Sequence, residues 1–285
     1  MEVMYANLHM HSGYSDAGFT PEQLVRIGKA VGHKALALTD HETDAGCQEF
    51  MENCRLEGIE CVTGAEFYGK FNGRAMHITA LDFDSNAPSI RNFIDERCHL
   101  QARWAKAGFD KAKRLGLLDE VTWEEVVVSA GKGAWLCYDS VLNLLSQKHV
   151  SFVDRRPQLV EIFRRDEEVR VMKPAYPEAA DVFRAVRDAG GVVGVAHPSE
   201  VQFDFIEQLI DYGMNAIEVS YSCRTVERER GKELALELAA RRNLYKMGGT
   251  DHSGPLSANG GILAVPIFNG ISEEDFRILK DRKLG

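Results

Sequence analysis

Long apolar runs are missing from this sequence. No stretch approaches the roughly 20 apolar residues a membrane-spanning helix needs, and no basic segment followed by an apolar one opens the chain at Met1-Glu2-Val3-Met4-Tyr5. Both absences point to a cytoplasmic protein. A basic surplus is missing too: 34 Lys and Arg stand against 43 Asp and Glu, for a net charge of −9. That argues against a long nucleic acid as partner, because binding the backbone needs a basic surface. A small phosphorylated substrate stays compatible, since bound cations supply positive field locally. The six cysteines include no Cys-x-x-Cys pair. A chain of 285 residues buries enough core to do without staples, so the thiols read as reduced, small hydrophobes. Internal repeats and low-complexity segments are also absent.

What is present is an alternation of short apolar runs and helical patterns. Tyr5 to Leu8, Ala35 to Thr39 and Ile59 to Thr63 read as buried strands. Thr20-Pro21-Glu22-Gln23 carries a capping box with Pro in the first helical turn. A second helix is expected over 44–56, and Asn72-Gly73 between apolar runs predicts a hairpin. From 88 to 174 the pattern turns helical, with a long helix over 91–115 and shorter ones over 123–130, 141–147 and 159–165. Strands then return at 192–196, 216–220, 245–248 and 262–267, interleaved with helices over 178–189, 203–212, 225–242 and 272–280. This predicts an α/β fold with a parallel sheet or barrel over 1–87 and 175–285, and 88–174 as a helical insertion or cap.

In such folds the chemistry gathers at the C-terminal ends of strands. Five of the nine histidines fall there: His9, His11, His41, His77 and His197. His252 adjoins a sixth such end, and Asp16, Asp40, Glu66 and Asp251 share these positions. One intervening residue places His9 and His11 on one face of a strand. Imidazole with carboxylate and no cysteine suits Zn²⁺, Mn²⁺ or Fe²⁺. The donors outnumber what one tetrahedral ion needs, and a carboxylate among histidines can bridge two ions that clamp a phosphoryl group.

The motifs Asn7-Leu8-His9-Met10-His11-Ser12, Leu38-Thr39-Asp40-His41, Gly64-Ala65-Glu66, Met76-His77-Ile78, Val195-Ala196-His197-Pro198 and Gly249-Thr250-Asp251, in this order, resemble those of the PHP (polymerase and histidinol phosphatase) superfamily. The likeness is greatest to its branch of small phosphoesterases with a helical insertion. That branch includes nucleotide phosphatases, enzymes opening cyclic ribose phosphates, and a trimming exonuclease. The resemblance implies a distorted (β/α)7 barrel with a helical cap and two or three divalent ions. His9, His11, Glu66 and Asp251 would hold the first ion, and Glu66, His77 and His197 the second, with Glu66 bridging. Asp16, His41 and a final histidine would hold the third, while Asp40 would orient a ligand or bind weakly itself. A hydroxide between the first two ions would attack phosphorus in a small phosphorylated ribose or nucleotide. Trimming of short RNA or DNA ends, or a non-catalytic metal-binding module, are the competing expectations.

Two departures stand out. The family's final histidine lies two residues after the motif Asp, where this chain has Ser253; His252 comes one residue early. His252 is then a third-site ligand, a proton donor or a substrate contact. The branch also carries an Arg near the start of an inserted helix, where this chain has Cys137. Lys132, Lys173 and Arg224 are the candidates to meet the substrate's phosphate instead, whereas Arg155-Arg156 and Arg164-Arg165 read as solvated faces.

Overall fold

The computed structural model describes residues 3–222, 225–252 and 269–284. Strands β1 (Ala6–Asn7), β2 (Ala35–Ala37) and β3 (Glu60–Val62) form a parallel sheet in that order. A second sheet runs β4 (Gly64–Phe71), β5 (Arg74–Leu81), β6 (Val192–Val195), β7 (Ala216–Ser220), β8 (Tyr245–Gly248). Its first three strands pair antiparallel and its last three parallel. The sheets meet through single backbone contacts at both edges. Glu66 N donates to Asp40 O at 3.0 Å and Glu42 N to Glu66 O at 2.7 Å on one side; Leu8 N donates to Gly248 O at 3.0 Å on the other. The architecture is therefore mixed α/β in two sheets, with the expected hairpin pairing β4 and β5 antiparallel. That hairpin turns on Asn72 and Gly73, both at positive φ (50° and 75°), as a tight two-residue turn requires.

Helix α1 (Pro21–Val31) starts where the capping box places it, with both reciprocal bonds between Thr20 and Gln23 formed. After α2 (Cys47–Glu57), the segment 88–174 supplies α3 (Pro88–Arg114), α4 (Trp123–Ala130), α5 (Tyr138–Gln147), α6 (Arg156–Arg165) and α7 (Glu167–Arg170). The first turns of α3 bury Ile90 and Ile94 in the main core, with Phe67, Ile78 and Phe183. Its later turns bury Trp104, Phe109 and Ala112 in a separate cluster with Leu142, Leu159 and Phe163. This one helix thus fastens the inserted helices to the sheets. Helices α8 (Ala179–Asp188), α9 (Val226–Arg242) and α10 (Glu273–Lys280) complete the chain. The single helix expected over 203–212 is instead two short 3-10 turns, Glu200–Gln202 and Ile206–Tyr212. Its buried residues Ile206 and Leu209 are three apart, and side chains three apart line up in a 3-10 helix. The strand expected over 262–267 lies outside the described residues.

Gly249, just past β8, fixes how closely the two sheets approach. A Cβ there would stand 2.3 Å from His9 N and 2.5 Å from Asn7 Oδ1. Gly249→Ala is expected to cost about 1–3 kcal/mol of stability by prising β8 from β1. Thermal unfolding with and without added Mn²⁺ checks this, and an unchanged midpoint in both would refute it.

Candidate metal centre

Strand register brings the donors together. Glu66 pairs across the hairpin with Thr79, and Tyr68 with His77. Paired residues on neighbouring strands share a face, so Glu66, Tyr68, His77 and Thr79 point one way while Phe67 and Ile78 enter the core. From the other sheet, His9 and His11 follow β1, and His41 follows β2. His197 and Asp251 follow β6 and β8 with φ of 32° and 50°, and Glu42 has φ of 49°. Left-handed backbone at non-glycine residues costs energy and concentrates at functional sites.

Glu66 is fully buried at the centre. Its Oε1 lies 3.0 Å from His77 Nδ1, 3.1 Å from His197 Nε2 and 3.4 Å from His9 Nε2. Its Oε2 lies 3.1 Å from His41 Nδ1 and 3.4 Å from His11 Nε2. Asp251 Oδ1 is 3.3 Å from His11 Nε2 and 3.6 Å from His9 Nε2. Asp16 is 3.8 Å from His11 Nδ1 and 3.6 Å from His41 Nε2. Ligands about 2.0–2.2 Å from one tetrahedral ion stand roughly 3.3–3.6 Å from each other, and the distances found, 3.0 to 3.8 Å, bracket that spacing. Three groups can hold an ion: His9, His11, Glu66 and Asp251; His11, Asp16 and His41; and His41, Glu66 and His77. His11 Nδ1, Asp16 Oδ1, His41 Nδ1 and Glu66 Oε2 are buried without hydrogen-bond partners, so the cluster carries polar atoms that a cation would satisfy.

Electrostatics agree. Burial works against protonated His9, but Glu218 and Glu66 outweigh it and hold its pKa well above the usual value. His11 is likewise lifted to about 9 by Asp251 and Asp16 against burial. Burial would raise the Glu66 carboxyl, yet His77, His9 and His41 bring it well below the usual range. Without cations, the surrounding carboxylates favour the protonated forms of His9, His11 and His77.

Glu218, absent from the sequence reading, is fully buried on β7. It contacts His9 Nδ1 at 2.6 Å and accepts from Thr79 Oγ1 and the His197 backbone N–H, each at 2.7 Å. Such a carboxylate fixes the tautomer that turns Nε2 toward a metal. Its only signal in the sequence was a charge within the apolar run Ala216-Ile217-Glu218-Val219. Glu218→Gln is expected to weaken metal affinity about 10- to 100-fold. Metal titration by calorimetry measures it, and unchanged affinity would dismiss the role.

Asp40 does not orient a histidine. Its oxygens accept from Ser12 N at 2.7 Å and Ser12 Oγ at 2.6 Å, and from Ser15 Oγ, pinning the loop that carries Asp16. His252 turns away from the cluster. It bridges Met10 in parallel register, so its side chain follows that of buried Met10 rather than His9 and His11. Its ring stacks on Phe19 at 5.5 Å. His11 takes the place beside Asp16 and His41 that was expected of a final histidine.

A cavity of about 410 Å³ opens on Asp16 and His77 beneath the inserted helices. Tyr68, Trp104, Trp135, Tyr138, Phe163 and Tyr176 wall it. Tyr68 stacks on His41 at 5.0 Å and on Tyr176 at 5.0 Å. Its bases are Arg97, Arg164, Arg170 and Lys173. Arg97 is committed to buried Glu42 at 3.0 Å and to Ala175 O. Of the three bases expected, Lys173 lines the cavity, Lys132 is exposed elsewhere, and Arg224 lies outside the described residues. Arg164, expected on a solvated face, is exposed and also lines the cavity, because α6 packs Phe163 inward beside it.

The PHP domain family matches residues 7–174, more than half of the sequence. The chain belongs to the PHP family. A phosphoribosyl 1,2-cyclic phosphate 1,2-diphosphodiesterase of Eggerthella lenta is 27% identical to this PHP protein over 261 residues, 88% of this chain and 95% of its own. A 3′,5′-nucleoside bisphosphate phosphatase of Chromobacterium violaceum is 26% identical over 270 residues, 87% of each chain. A 5′-3′ exoribonuclease of Haemophilus influenzae is 27% identical over 192 residues, 67% of this chain and 68% of its own. Among solved structures, a Bifidobacterium adolescentis protein, itself only inferred to be a metal-dependent phosphoesterase, superposes with a TM-score of 0.79 at 23% identity over 99% of this chain and 97% of its own. That likeness shows the fold. The family and its hydrolase relatives make this PHP protein a metal-dependent phosphoric ester hydrolase. No helix among the described residues is long and apolar enough to cross a membrane.

Proposed function

We propose that this PHP enzyme hydrolyses a phosphate ester in a small phosphorylated ribose or nucleotide, as a monoester or a ribose cyclic phosphate, in the cytoplasm. The observation that carries this reading is the buried, doubly engaged Glu66 in contact with His77, which with Asp16 lines a 410 Å³ cavity with aromatic walls and basic residues. The reading takes the two sheets as arcs of one distorted barrel, with 88–174 as a cap over its mouth. His9, His11, Glu66 and Asp251 would hold one divalent ion and Glu66, His77 and His197 a second. Asp16, His41 and His11 would hold a third, and the donors suit Mn, Zn or Fe. Ions bound there supply charge for the phosphoryl oxygens and acidify the attacking water.

The rest falls to the chain itself. Glu218 keeps a proton on His9 Nδ1 and so presents Nε2 to the centre. Asp40 holds the loop of Asp16 in place. Arg164, Arg170 and Lys173 would neutralise a phosphate distant from the reacting one, a task Cys137 cannot perform. Tyr68 and Tyr176 would exclude water from one face.

Metal-stripped protein given Mn²⁺ is expected to release phosphate from at least one ribose phosphate, ribose cyclic phosphate, or nucleoside mono- or bisphosphate. Nucleotide release from short RNA alone, falling steeply with salt, would instead identify a trimming nuclease. Two bound ions with no hydrolysis at all would favour a non-catalytic module.

A further inference from the structure

Asp139 sits in the first turn of α5, lines the 410 Å³ cavity and is only 6% exposed. Its Oδ1 is buried and has no hydrogen-bond donor among the described residues. The start of a helix favours a carboxylate there, but that does not account for an acceptor left bare, since native proteins pair nearly all such atoms. Four more polar atoms of residues lining the same cavity share this condition, two of them the acceptors Asp16 Oδ1 and Glu42 Oε2. Trp104 and Trp135 line it, and each has a buried indole N–H without an acceptor.

Bare carboxylate acceptors and two neutral donors, set among aromatic rings, complement a particular chemistry. A hydroxyl both donates and accepts, whereas a phosphate only accepts and would be repelled by Asp139. A sugar presents several hydroxyls around an apolar C–H face that packs on aromatic rings. A nucleobase needs the rings but not an anionic acceptor paired with neutral donors. The bases Arg164, Arg170 and Lys173 remain for phosphate.

We propose that Asp139 is a specificity-determining residue, accepting a hydrogen bond from a sugar hydroxyl of the phosphorylated substrate. The proposal rests on the reading above that the substrate is a phosphorylated ribose or nucleotide. It adds that the sugar, rather than a base, occupies the cavity under the inserted helices.

The test compares ribose 5-phosphate with pentyl phosphate, which has five carbons and no hydroxyl. Calorimetric binding to the metal-stripped protein at pH 8.5, above the raised pKa of Asp139, reads the preference without any turnover. The wild-type protein is expected to bind ribose 5-phosphate at least about 10-fold more tightly than pentyl phosphate. Asp139→Ala is expected to shrink that ratio about 10- to 100-fold, the worth of a hydrogen bond to a charged group. Asp139→Asn keeps an acceptor and is expected to lose less. A wild-type ratio near one, or a ratio unchanged in Asp139→Ala, overturns the assignment. Phosphate release from the same two compounds with Mn²⁺ restored separately tests the proposed reaction. A strong binding preference without hydrolysis would sink the reaction but not the hydroxyl contact.

Discussion

Glu66→Gln is expected to lower Mn²⁺-supported phosphate release by at least about a thousandfold. Glu66 turns its two oxygens to different sets of histidines, His77, His197 and His9 on one side and His41 and His11 on the other. The amide keeps the volume but removes the charge, and its NH₂ group must face one of those sets as a donor. Bound ions contribute several kcal/mol to charge stabilisation in such reactions, and each 1.36 kcal/mol is about tenfold in rate. His9→Ala removes a ligand to which both Glu66 and Asp251 are addressed, so a similar loss is expected. Steady-state rates and metal analysis on the same samples measure both variants. Wild-type turnover in the two of them would mean the reaction takes place elsewhere.

The second large effect concerns stability and is expected at Asp139. Burial first, and then the negative charge of nearby Asp16, push its carboxyl up to about 7 in the metal-free protein. In an unfolded chain the same group titrates near about 3.9. Between those values the folded state binds the proton and the unfolded state does not. Stability from this group is therefore highest below pH 4, falls as pH rises toward 7, and stays low above. The gap is worth roughly 4 kcal/mol when fully developed. Asp139→Asn abolishes the titration. The variant is expected to outlast wild type in denaturant at pH 8, with the advantage shrinking to about a third at pH 5. Equal midpoints at pH 8 would contradict this. A stability cost of that size at a cavity wall is consistent with a residue retained for binding.

Much of the site was legible before any tertiary structure. Residues that close a buried strand are marked by an apolar run followed by polar groups, and His9, His11, His41, Glu66, His197 and Asp251 all carried that mark. Capping chemistry was equally local, so α1 and the Asn72-Gly73 turn fell where Thr20 and the turn residues put them. Glu218 escaped because nothing local distinguishes a charge that serves a histidine 209 positions away from one that merely interrupts a strand. Arg164 is exposed, as read, but a short amphipathic helix does not say that this flank also meets a cavity.

His252 shows where the boundary lies. The sequence alone determined that a histidine follows Asp251 one place too early, and that on an extended segment it would face the other way. Only the tertiary structure decided which way His252 faces, since its bridge to Met10 is made by residues more than 200 positions apart. It also decided that His11 completes the group with Asp16 and His41. Side-chain chemistry and strand periodicity are properties of neighbouring residues and can be read along the chain. Which donors come within 3–4 Å of one another depends on the pairing of distant strands, and only the closed fold fixes that.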